Sequence, residues 1–144
     1  MSRHQAAAAG RAAAKGVVPA LMAGDAVSFV VFSALGRAEH QTGLAPLQIL
    51  FTALPFLIAW FPVALWLKAF QPRAVASVWA AVKSVFLPWL LTWPLALQLR
   101  ALILDRNIPF SFAAVVFAMN LALLALWRGS YAFFRQRRRA KASG

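Results

Sequence analysis

Five side chains in this sequence stand where charge or a hydrogen-bonding group is expensive or concentrated. Asp25 and Lys83 lie inside apolar stretches, and Arg37, His40 and Arg100 lie at the ends of such stretches. A carboxylate within a membrane span is costly and faces a bundle interior or water, so Asp25 points to an ion pair or to ion or proton handling. Asp25 follows Val17 by eight residues and Lys83 follows Val75 by eight. At about 1.5 Å of rise per residue, each is about 12 Å from the start of its segment, so the two are expected to meet. The competing expectation is that Lys83 snorkels to the headgroups and Asp25 hydrogen-bonds to a neighbouring helix.

Arg37, His40 and Arg100 are expected at one end of the molecule, where a small pocket would suit an anion or a lipid headgroup. Plain interfacial anchoring in water and phosphate is the other expectation for them. Asp25, Lys83, Arg37, His40 and Arg100 are therefore the candidate ligand or ion site. No catalytic residue, metal site or cofactor is expected. The chain has no cysteine and two histidines, His4 and His40, and shows no Ser-His-Asp set, Gly-rich phosphate loop or paired-carboxylate spacing. Around Asp25, the residues Ala20, Gly24 and Ser28 repeat at four-residue spacing, a small-residue stripe that lets another backbone come close.

The elements that must position these groups follow from composition. Of 144 residues, 62% are hydrophobic and 12% charged, with six Trp and twelve Phe. A soluble domain of this length cannot cover so much apolar surface, and lipid must cover the rest. Four segments match the roughly 20 apolar residues needed to cross a bilayer. They are residues 17–36, 46–67, 75–99 and 108–127, carrying Pro55, Pro62, Pro88 and Pro94 internally. Membrane helices tolerate such prolines when neighbours satisfy the freed carbonyls. Residues 1–16 read as a cytoplasmic N-terminal tail and not a cleaved signal, because Asp25 interrupts the apolar stretch and no cleavage site with a soluble mature domain follows. Residues 129–144 read as a basic cytoplasmic tail.

Fifteen Lys and Arg face three acids, for a net charge of +12. The charge falls in short clusters between apolar runs, which excludes a folded nucleic-acid face. Arg3, Arg11, Lys15, Lys68, Arg73, Lys83, Arg128, Arg135, Arg137, Arg138, Arg139 and Lys141 fall on one side of the four spans, and Arg37, Arg100 and Arg106 on the other. Positive charge marks the cytoplasmic side, so both termini are expected there. Trp60, Trp66, Trp79 and Trp127 are expected toward the inner interface, with Trp89 and Trp93 in the outer half. The C-terminal run from Arg135 to Lys141 is expected to contact anionic lipid headgroups.

These features together resemble the small prokaryotic membrane family described as domain of unknown function 3054. The matching residues are Gly24-Asp25, Phe32, Gly36-Arg37, His40, Pro55-Phe56, Trp60, the run TWPLALQLR from Thr92 to Arg100, Ile108-Pro109, Phe112 and Trp127-Arg128. The likeness covers residues 20–128, and the tail beyond Arg128 is longer and more basic than the family core requires. It implies a multi-pass membrane protein and no particular activity. The resulting expectation is an all-α polytopic protein of the cytoplasmic (inner) membrane, a small-ligand or ion binding or transport component using Asp25. The alternative is a non-catalytic accessory or assembly subunit of a larger membrane complex, with a homo-oligomer or a complex partner expected in either case. A third class is a membrane enzyme or a pigment and lipid binder, the enzyme ranking behind the other readings since no catalytic constellation is present.

Overall fold

The computed structural model describes residues 4–5, 14–105 and 107–142. Arg3, Arg11 and Arg106, which contribute to the charge expectation, lie outside the described residues, as does most of the expected N-terminal tail. Among the described residues, four long helices follow in order: α1 (Val17–Glu39), α2 (Pro46–Trp66), α3 (Val78–Leu104) and α4 (Phe110–Ala142), with a short 3₁₀ turn at Pro72–Val75 between α2 and α3. Each is long and apolar enough to cross a membrane, and among the described residues there is no strand. The chain is a multi-pass, all-α membrane protein.

The helix starts have local causes. Pro46 opens α2, where its missing N–H is no loss. Ser77 caps α3, its hydroxyl accepting from the Ala80 amide at 3.0 Å. That cap places the start of α3 after the expected residue 75, the intervening Pro72–Val75 being wound as a 3₁₀ turn. Asp105, in the left-handed conformation at φ 47°, ends α3. The four internal prolines lie within continuous helices.

The fourth helix differs most from expectation. It does not stop where the apolar run stops at Trp127 but continues through Arg128 to Ala142, so the expected tail is helical as far as it is described. At about 1.5 Å per residue, such a helix is about 50 Å long against a hydrocarbon core of about 30 Å, so its basic end extends beyond the hydrocarbon core.

The helices pack as a ring in which α1 touches α2, α2 touches α3, α3 touches α4, and α4 returns to α1. The α3–α4 seam is held by two indoles one turn apart. Trp89 donates to the Phe117 carbonyl at 3.0 Å and Trp93 to the Ala113 carbonyl at 2.9 Å. At mid-height, Phe29 packs on Phe56, Trp60 and Trp89, with Phe32 edge-on to Phe56, forming a buried aromatic layer. Outward-facing side chains are apolar along the helices, as lipid contact demands: Val27, Phe51, Leu95 and Leu126 are all exposed.

Candidate functional site

Charged groups that reach into the bundle collect at two levels, one on each side of the aromatic layer. On the first level, α1 delivers Asp25 and α4 delivers Arg128, both 0% exposed. The guanidinium meets the carboxylate as a fork, Nε donating to Oδ1 at 3.0 Å and Nη2 to Oδ2 at 2.5 Å. Such bidentate pairs are the strongest and most directional ion pairs available. From α2, the Trp60 indole N–H donates to Oδ2 at 2.9 Å. Arg128 Nη1 donates to the Ala69 carbonyl at 2.7 Å and to Ser84 Oγ at 3.1 Å, reaching the α2–α3 connection and α3. The rings of Trp60 and Phe70 lie 5.7 and 5.2 Å from the guanidinium carbon, adding cation–π attraction. One residue pair thus binds every helix of the ring.

The small-residue stripe on α1 makes this approach possible. A Cβ on Gly24 would fall 1.8 Å from the Trp127 ring, so the indole occupies the space a side chain would take at that point. Gly24-Asp25 and Trp127-Arg128 therefore interlock as two adjacent pairs. Beside them, Ser28 returns its hydroxyl to the Gly24 carbonyl at 2.9 Å.

The expected meeting of Asp25 with Lys83 does not occur. Lys83 is exposed, with its ammonium 5.0 Å above the Trp79 ring. Arg128 takes its place because it is a helical residue of α4, although in the sequence it is the first charge after an apolar run and looks like a flank. Trp60 likewise is a buried donor and not an interfacial anchor, whereas Trp66 and Trp79 are 74% and 65% exposed. The signal that pointed to both missed residues was the family resemblance, which includes Trp60 and Trp127-Arg128 among its matching positions.

On the second level, Arg37, His40 and Arg100 line one cavity of about 300 Å³, with Ser33, Thr52 and Phe112 among its other walls. Arg37 is also a clamp on the α1–α2 turn. Its Nε donates to the Gly43 carbonyl at 2.9 Å, and its Nη2 donates to the Thr42 carbonyl and to Gln48 Oε1, both at 2.5 Å. Gly43 accepts φ +83° in that turn, which few other residues tolerate. Arg100 lies 5.2 Å from the Phe112 ring, tying the end of α3 to the start of α4. Ser33 is 1% exposed, and its hydroxyl has no hydrogen-bond partner. A buried hydroxyl of this kind costs energy unless something supplies the missing bond.

Eight residues of α1 separate Asp25 from Ser33, about 12 Å of rise. Phe29 and Phe32 fill that interval, so Asp25 and Lys83 do not share the cavity with Arg37, His40 and Arg100.

Four apolar helices closed into a ring around a buried ion pair define a small polytopic membrane protein. The family model described as "Protein of unknown function (DUF3054)" matches residues 22–131, most of the chain and all of the residues of both polar levels. The chain belongs to that family. No curated protein and no solved structure matches it.

Proposed function

We propose that this protein binds a small anionic ligand in the cavity formed by Arg37, His40 and Arg100, and that it does so in the cytoplasmic membrane of a prokaryote with both termini inside. The carrying observation is the lining of that cavity: two arginines and a histidine, no acidic side chain, and the unpartnered buried hydroxyl of Ser33. Positive charge at a low-dielectric wall whose lining holds no carboxylate attracts an anion, and a hydroxyl with open valence can orient one. Phe32, Phe56 and Phe112 supply the apolar remainder of the pocket.

This reading moves the ligand away from Asp25. The Asp25 oxygens already accept three hydrogen bonds of the about four a carboxylate can take. Asp25 and Arg128 are then positioning residues that hold the helices supporting the cavity.

Equilibrium dialysis of the full chain in nanodiscs against radiolabelled phosphate and acetate tests the reading. Wild type is expected to bind at least one of the two, and Arg100→Gln to weaken that binding by about ten-fold or more, the equivalent of one lost charge-assisted bond. Equal behaviour of wild type and variant toward both anions removes the reading. The accessory-subunit alternative then becomes the one to pursue, through proteins that co-purify in stoichiometric amount.

A further inference from the structure

A second positively charged cavity, of about 390 Å³, lies at the opposite end of the bundle from Arg37. Three separate pieces of backbone supply its charge: Lys68 after the end of α2, Arg73 in the 3₁₀ turn, and Lys83 five residues into α3. No acidic side chain lines it. Among the described residues none of these three side chains makes a hydrogen bond or ion pair, and Lys83 rests above the Trp79 ring. The inner wall includes Ala69 and Ser84, the two groups that Arg128 holds, so the cavity is shaped by the buried pair while the charge of Asp25 is neutralised behind it. The outer side includes Leu87, 51% exposed toward lipid. Trp66 and Trp79, the exposed indoles on the flanking helix ends, mark the level of the membrane interface.

A cavity that is cationic, open beside an apolar helix face, and set at the headgroup level matches one ligand chemistry: a phosphate that carries acyl chains. We propose that this cavity is a binding site for an anionic phospholipid. Lys68, Arg73 and Lys83 surround the headgroup phosphate, and an acyl chain lies along Leu87. The site is distinct from the basic end of α4, because neither Arg135 nor any later residue lines it. It is independent of the anion cavity at the Arg37 end.

Native mass spectrometry of the full chain in a neutral detergent, with phosphatidylglycerol or phosphatidylcholine added at matched amounts, tests the site. Each basic residue near an anionic headgroup is worth about five-fold in affinity, the equivalent of about 1 kcal/mol. The Lys68→Gln/Arg73→Gln/Lys83→Gln variant should therefore lose about 100-fold in retained phosphatidylglycerol. Lys68→Arg/Lys83→Arg, which keeps the charge, should bind as wild type, and so should Arg137→Gln/Arg138→Gln/Arg139→Gln. If the triple neutral variant loses helicity, Lys83→Gln alone replaces it, with an expected loss of about five-fold. Equal retention of the two lipids by wild type overturns the proposal, as does undiminished binding in the neutral variants or a comparable loss in the α4 variant. Displacement of phosphatidylglycerol by inorganic phosphate at equal concentration also overturns it, since the site would then read a free anion and not a lipid.

Discussion

At the scale of single residues, the Asp25–Arg128 pair decides the most. Removing one partner leaves the other as an uncompensated charge among apolar helices, which in buried pairs costs about 3–5 kcal/mol. Asp25→Asn and Arg128→Gln are each expected to destabilise by about that amount in unfolding titrations from mixed micelles. Replacing both by apolar residues, Asp25→Leu with Arg128→Met, should recover at least about 2 kcal/mol of the summed loss. Recovery should stay incomplete because the Trp60 N–H, the Ala69 carbonyl and the Ser84 hydroxyl also lose their partner. Purely additive losses would mean that the pair contributes no coupling. Gly24→Ala addresses the neighbouring contact: its Cβ collides with the Trp127 ring, and overpacking of this kind costs about 1–3 kcal/mol. Combining it with Trp127→Ala should cost less than the two changes summed, which the same titration reads.

At the scale of elements, the two indoles on α3 join it to α4. Hydrogen bonds between membrane helices average about 0.6 kcal/mol and reach about 1.7, so Trp93→Phe, at a half-buried position, should weaken the fold by that modest amount, and Trp89→Phe, which also opens space in the aromatic layer, by somewhat more. Thermal unfolding in bicelles should show Trp93→Phe and Trp89→Phe milder than Asp25→Asn; the reverse order would put the seam and not the ion pair at the centre of stability. The elements were also where the sequence was most readable. Apolar length alone located four spans, because lipid tolerates no other spanning structure than a helix in a chain of this pattern. The end of α4 was not readable, since hydropathy reports where lipid stops and not where hydrogen bonding stops. Arg128 illustrates the difference: by composition it is a flank, by geometry a core residue at 0% exposure. Counting residues along the spans puts Arg37, His40 and Arg100 at one end. Their shared cavity depends on the tight turn that Arg37 clamps, which no periodicity reveals. Asp25 was recognised by its cost, while its partner lay 103 residues away, too far for spacing to select over Lys83.

At the scale of the whole molecule, the helices alternate in direction, so the start of α1, the α2–α3 connection and the end of α4 share one face of the membrane. That face carries Lys15, Lys68, Arg73, Lys83 and the basic end of α4, while the opposite face carries Arg37 and Arg100 among the described residues. Retention of positive charge in the cytoplasm predicts which face is inside. The absence of cysteine makes the orientation directly measurable, because any introduced thiol is the sole target of a maleimide. Asn107 precedes α4 on the Arg100 face, and Ala142 ends α4 on the basic face; both are exposed. In intact cells, Asn107→Cys should react with a membrane-impermeant maleimide and Ala142→Cys should react only after the membrane is opened. The opposite pattern would place the phospholipid cavity of Lys68, Arg73 and Lys83 in the outer leaflet and turn the Arg37 cavity toward the cytoplasm, so this labelling also decides which compartment supplies the small anion.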